Sequence, residues 1–233
     1  MSHHFIPVRF ARCDEGDNDG DWRDSMAYIE MAEDVVTSLD AQSIDRAVLV
    51  GHSMGGKVAQ TVALLHPERV AGLVVLDMAP VSYHQDVDPS WRAVYDIVTT
   101  LTELELADPV SGEPYSKQEV DKQLQKGIPD PALRAFVWTN LDAKAMRWKI
   151  PIDTIAEQLD TIAGFDVSPS SQYHGDVMFI QGGQSRFVRH AHMETISKYF
   201  PNHMLTTIRG AGHWVHAEAP DDTVALLKRY LDR

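Results

Sequence analysis

Two short apolar runs with a helix between them set the strongest constraint on this chain. Arg46-Ala47-Val48-Leu49-Val50 stops at Gly51, a helical pattern runs from just after Ser53 to about His66, and Leu73-Val74-Val75-Leu76 follows and ends on Asp77. Continuous apolar runs of this length are typical of strands buried on both faces. Strand, tight turn, helix and strand together predict a βαβ unit and imply a parallel sheet.

The flanking sequence extends that frame. From Ser25, taken as an N-cap, Tyr28, Met31, Ala32, Val35, Val36 and Leu39 recur at helical spacing. Residues 90–165 change character: Trp91 to Leu106, Ser116 to Gln125, Pro131 to Leu141 and Ile152 to Ile162 are helical patterns broken by Pro or Gly, and Ser116 with Glu119 has capping-box spacing. Sheet-like runs resume at Val177 to Ile180 before Gly182-Gly183, and at Met204 to Ile208 before Gly210. Asp221 to Asp232 closes with an amphipathic helix. The fold class expected is α/β, a mostly parallel sheet flanked by helices with a helical insertion. At the other end, Phe5 to Arg9 are expected as a short extended stretch in which Pro7 favours an edge position. Residues 13–24, with Asp14, Glu15, Asp17, Asp19, Asp21 and Asp24, form an acidic segment expected as a surface loop.

Composition narrows the function classes. At 233 residues, 44% of them hydrophobic, the chain can bury one substantial core. A formal net charge of −13 repels phosphate backbones and anionic lipid, so neither nucleic acid nor a membrane is expected as a partner. No stretch is long and apolar enough for a membrane span, residues 1–12 lack a signal-peptide core, and the lone Cys13 cannot form an internal disulfide; a cytoplasmic location is the expectation. Glu15, Asp17, Asp19 and Gly20 have a faint calcium-loop spacing, but Met26 stands where the bidentate carboxylate belongs. The eleven histidines form no H-E-x-x-H pattern, and neither metal nor cofactor is expected.

Gly51-His52-Ser53-Met54-Gly55 fits G-x-S-x-G, the pattern in which a serine sits on a strained strand-to-helix turn. Ser53 is then a candidate nucleophile at a helix N-terminus, where the Met54 backbone N–H and the helix dipole can stabilise a developing oxyanion. Such a serine needs an imidazole to take its proton. His213 is the candidate, in Gly210-Ala211-Gly212-His213-Trp214 after an expected strand, with His216 a weaker competitor. His52 is assigned to packing the elbow or meeting substrate. A carboxylate should orient His213, either at the end of the strand after the elbow or in the loop after Gly182-Gly183. That loop reads Gln184-Ser185-Arg186-Phe187-Val188 and offers no acid, so Asp77 is the candidate. Trp138 and Trp214 are carried as substrate-binding candidates; aromatics at helical spacing such as Trp91, Tyr95, Phe136, Trp138 and Trp148 could line a pocket but are more often core or cap packing.

Residues 25–233 resemble the α/β-hydrolase superfamily, and within it the small acyl-esterase branch of the bacterial esterase YbfF. The marks are Met31 to Val35, Val50 to Lys57, His66 to Val70, Asp77 to Val81, Phe136 to Leu141, Trp148, Gly182-Gly183 and Gly212 to Ala217. The resemblance implies Ser53 as nucleophile, His213 as base, Asp77 as acid, and a helical cap over about 90–165 that shapes an acyl pocket. The core would then be 25–89 with 166–233, and 1–24 an atypical N-terminal segment. The family's first strands and its His-Gly loop, which completes the oxyanion hole, find no match in residues 1–24, so the fold is expected to be truncated at its N-terminus, with self-association through an uncovered sheet edge. Two functions follow: hydrolysis of small acyl esters or thioesters by a Ser-His-Asp triad and an acyl-enzyme, or an inactive family member serving as an interaction or partner subunit.

Overall fold

A computed structural model of the chain describes residues 25–142 and 147–233; the expectations placed on Phe5 to Arg9 and on the acidic segment 13–24 lie outside the described residues. In chain order the elements are α1 (Tyr28–Ala41), β1 (Ala47–His52), α2 (Met54–Leu65), β2 (Val70–Leu76), α3 (Pro89–Thr102), α4 (Lys117–Gly127), α5 (Pro131–Thr139), β3 (Leu141–Asp142), β4 (Arg147–Trp148), α6 (Ile152–Glu157), α7 (Leu159–Ala163), β5 (Val177–Gly182), α8 (Met193–Tyr199), β6 (His203–Ile208), α9 (Val215–Glu218) and α10 (Pro220–Leu231). They divide into two compact units, one of residues 84–160 with Ser25 and Met26, the other of Ala27–Tyr83 with Thr161–Arg233.

The second unit holds the sheet. Its order is β1-β2-β5-β6, with every neighbouring pair parallel. The expected βαβ unit is there: His52 pairs with Leu76 at the C-terminal ends of β1 and β2, and Leu76 with Ile180 of β5. Because side chains alternate across a strand, β2 feeds two cores. Val74 and Leu76 join Met178, Ile180, Ile208, Ala211, Val215 and Tyr230, packed over by Leu226, Leu227 and Leu231 of α10. Val75 faces the other way, towards Gly56 of α2, and α2 packs on α1. Among the described residues β1 has a strand neighbour on one side only, and its Val48 and Val50 are partly exposed.

Helix α1 begins later than expected. Ala27 rather than Ser25 occupies the cap position, without a side-chain cap bond. The buried Tyr28, whose hydroxyl donates to the Ile162 carbonyl at 2.7 Å, anchors the first turn instead. Tertiary packing here outweighs the local cap signal.

The first unit is helical, as the periodicity of residues 90–165 predicts. The capping box of α4 forms, with the Glu119 N–H donated to Ser116 Oγ and the Ser116 N–H donated to Glu119 Oε2 at 2.8 Å. Asp130 caps α5 by accepting from Ala132 and Leu133. Two details differ from the sequence expectation. Leu141 leaves the helix and pairs with Trp148 in the β3-β4 hairpin, and the pattern from Ile152 to Ile162 splits at Gln158 into α6 and α7. Two-residue strands carry too little alternation to be seen in a sequence. No helix among the described residues is long and apolar enough to cross a membrane.

Candidate active site

The C-terminal ends of the four parallel strands bring the site together, the usual place for sites in open α/β sheets. β1 ends at His52 and α2 starts at Met54, so Ser53 alone makes the turn, with φ 53° and ψ −122°. Its carbonyl accepts from the Gly56 and Lys57 N–H groups at 2.8 and 3.2 Å, and its own N–H donates to the Leu76 carbonyl at 3.2 Å. A positive φ outside glycine is strained and persists only where the surroundings enforce it. The two glycines of the pattern are not equivalent. A Cβ on Gly51 would stand 2.2 Å from the Gly55 carbonyl oxygen, whereas one on Gly55 would meet nothing within 4 Å. Closure of the elbow therefore depends on Gly51, where a side chain has no room, and not on Gly55.

Asp77 follows β2 directly, again at positive φ, 51°. Its side chain is fully buried and each oxygen has a donor: the Gly182 N–H reaches Oδ1 at 2.9 Å, and Oδ2 accepts from the Ser185 hydroxyl and faces His213 Nδ1 at 2.7 Å. His213 stands in the loop between β6 and α9, and its Nε2 lies 2.9 Å from Ser53 Oγ. Serine, imidazole and carboxylate are thus joined in one hydrogen-bonded chain. The loop after Gly182-Gly183 carries no acid, as its sequence says, and contributes the Ser185 hydroxyl to the acid that lies elsewhere.

The histidines around it are sorted by the same geometry. His52 Nε2 lies 2.9 Å from the His213 carbonyl oxygen, which fixes the His52 ring proton on Nε2. Burial first, and the electrostatic influence of the neighbouring His213 second, push the His52 imidazole down to about 4, so it is neutral at pH 7. His216 packs its ring edge-on against His52, centroids 4.6 Å apart, and is also shifted down by burial. The Phe187 ring lies 4.1 Å from that of His213, and Trp214 packs at 5.4 Å. Trp138 is in the helical unit, its indole N–H donated to Asp121 at 3.3 Å and Lys117 Nζ 5.1 Å over its ring. Met54, the first residue of α2, has a backbone N–H at the end of the helix where such groups lack an intrahelical partner.

Three contributors escaped sequence reasoning. Ser185 and Phe187 sit in a loop whose composition gives no signal. Lys57 looks like an ordinary helix-surface residue, yet it is buried and its ammonium donates to the carbonyls of Ile162, Ala163 and Gly164 at 3.3, 2.6 and 2.6 Å. Among the described residues no three His, Cys, Asp or Glu side chains group as a metal site requires, and the faint calcium-loop residues lie outside the described part.

Comparison with known proteins fits this arrangement. The family described as the alpha/beta hydrolase fold matches residues 12–220. The chain belongs to the α/β-hydrolase family. Within that family it is 31% identical over 207 residues to esterase YbfF of Escherichia coli (strain K12), covering 89% of this chain and 76% of YbfF. It is 33% identical over 209 residues to the mouse (Mus musculus) sn-1-specific diacylglycerol lipase ABHD11, covering 88% of this chain and 65% of the mouse protein. Among solved α/β-hydrolase structures, a marine microorganism esterase superposes with a TM-score of 0.82 at 30% identity, covering 89% of this chain and 78% of that one.

Proposed function

We propose that this chain hydrolyses small acyl esters or thioesters through an acyl-enzyme on Ser53. A carboxylic-ester hydrolase is supported by the fold family and by relatives named esterase and lipase. The observation that carries the finer reading is the continuous pair of contacts from Ser53 Oγ to His213 Nε2, 2.9 Å, and from His213 Nδ1 to Asp77 Oδ2, 2.7 Å.

In this reading His213 Nε2 removes the Ser53 proton as Oγ attacks the acyl carbon. The tetrahedral oxyanion takes the Met54 N–H, aided by the positive end of α2. Collapse expels the alcohol or thiol, which leaves with the proton from His213, and water then repeats the sequence to release the acid. Asp77 holds Nδ1–H of His213, so that Nε2 is the basic nitrogen, and stabilises the imidazolium that forms. His52 acts on the backbone of the base rather than as a base itself. Trp214, beside His213, is the aromatic best supported as a substrate contact. The helices inserted between β2 and β5 match in chain position the cap that the family resemblance implies.

A fluorophosphonate probe tests the reading. Intact-mass and peptide analysis should find one adduct, on Ser53, whose formation is lost in His213→Ala. No adduct on Ser53, or labelling spread over other serines, would contradict it and favour the inactive family member; undiminished labelling of Ser53 in His213→Ala would remove His213 as the base.

A further inference from the structure

The loop that carries His213 has its backbone held from both sides, and a single carboxylate does most of the holding. Glu218, the last residue of α9, turns back on the loop: Oε2 accepts the Gly212 N–H at 2.7 Å and Oε1 accepts the Trp214 N–H at 3.1 Å. The residue between those two donors is His213. Its own carbonyl is the one facing His52 Nε2 at 2.9 Å. The carboxylate lies directly over Gly212, where a Cβ would stand 3.0 Å from each of its oxygens. Glycine at 212 therefore leaves the space that the bracket occupies. Carboxylate and loop are also tied within one turn, because the Ala217 and Glu218 N–H groups both donate to the Trp214 carbonyl at 2.8 Å.

We propose that Glu218 is a positioning residue for the hydrolytic site, fixing the backbone at His213, and with it the reach of Nε2 to Ser53, by gripping the N–H groups on either side. The inference rests on the Ser53-His213-Asp77 reading above. Asp77 sets the rotation and tautomer of the imidazole; Glu218 sets where its Cα stands. Hydrogen bonds to a carboxylate are roughly twice as strong as neutral ones, and a displacement near 1 Å in a reacting pair costs up to about 10²-fold in rate. A glutamine at 218 keeps one accepting oxygen and turns an N–H₂ towards the second donor, so it preserves half the bracket.

The test uses the full chain and p-nitrophenyl butyrate, with rates referred to the concentration of Ser53 that a fluorophosphonate titrates. Glu218→Ala should lower kcat by roughly 10- to 100-fold with KM changed less than about twofold, and Glu218→Gln should fall between it and the parent. Because Glu218 is exposed, the urea midpoint should hardly move. A merely structural role gives the opposite pattern: a lower midpoint and fewer titratable sites, with an unchanged kcat per site. That result, or equal kcat in all three proteins, overturns the proposal while Ser53→Ala remains inactive. If Ser53→Ala itself keeps full activity, the triad reading falls and the role of Glu218 falls with it.

Discussion

His213 Nδ1 stands 2.7 Å from an oxygen of Asp77, a carboxylate that follows β2, the neighbour of the elbow strand, while the loop after β5 supplies Ser185 to the same oxygen. The carboxylate and the hydroxyl bonded to it therefore come from the ends of adjacent strands, and the carboxylate facing the imidazole is already anchored by the Gly182 N–H. Such anchoring leaves Asp77 little freedom to turn away from His213.

Replacing Asp77 by asparagine isolates its charge and acceptor role, since asparagine tolerates the positive φ of 51° about as well as aspartate does. Asp77→Asn should fold normally and lose kcat by about 10³- to 10⁴-fold, because an amide N–H₂ facing Nδ1 selects the wrong tautomer. Steady-state kinetics with circular dichroism as a folding control checks this. A loss below tenfold would assign the acid role elsewhere.

Lys57 lies outside the chemistry but inside the fold. Its ammonium serves three carbonyls at residues 162–164 and sits 5.3 and 4.9 Å from the ring centres of Tyr28 and Tyr83. Burial pushes it down to about 7, against the charge of Asp166, which raises it. Lys57→Met keeps most of the side-chain length and leaves the carbonyls without their donor, at a cost of about 2–3 kcal/mol in unfolding free energy. Urea denaturation at pH 7 measures it; a change under about 0.5 kcal/mol would mean that the carbonyls find other donors.

His52 predicts an acid-sensitive fold. Its imidazole is held down to about 4 by burial first and His213 second, from an ordinary 6.5. Between those values the unfolded chain binds a proton that the folded one refuses, so stability is full above about 6.5 and is lost as the pH falls towards 4. The loss should be on the order of 2 kcal/mol by about pH 4.5. Urea midpoints for the parent and His52→Gln, followed from pH 7 down, should show the shallower slope in the variant. Parallel slopes would exclude His52 as the source.

The elements legible in the sequence were those whose signal is local. The runs before Gly51 and at Leu73 marked the two parallel strands because each is an unbroken apolar stretch with no polar residue inside it, although only β2 is buried along most of its length while Val48 and Val50 of β1 are exposed. Ser116 and Glu119 gave a helix start because the capping box is written within four residues. The proposal of Ser53, His213 and Asp77 rests on a signal of the same kind, since each stands at a strand end or in a glycine-rich loop after a strand. What the sequence hid depends on distant partners. Ser25 looked like a cap until the burial of Tyr28 set the helix start. Ser185, Phe187 and Lys57 acquire roles only when β2 and β5 lie side by side or α2 meets the C-terminal end of α7. Glu218 is five residues from His213, yet its bracket depends on the chain reversing between β6 and α9, which no periodicity records.

The most direct measurement is hydrolysis of p-nitrophenyl butyrate by the chain and by Ser53→Ala, purified side by side. The account predicts turnover in the parent that falls to the level of the uncatalysed reaction in the variant. Equal rates in the two proteins, whether both high or both at background, would contradict it.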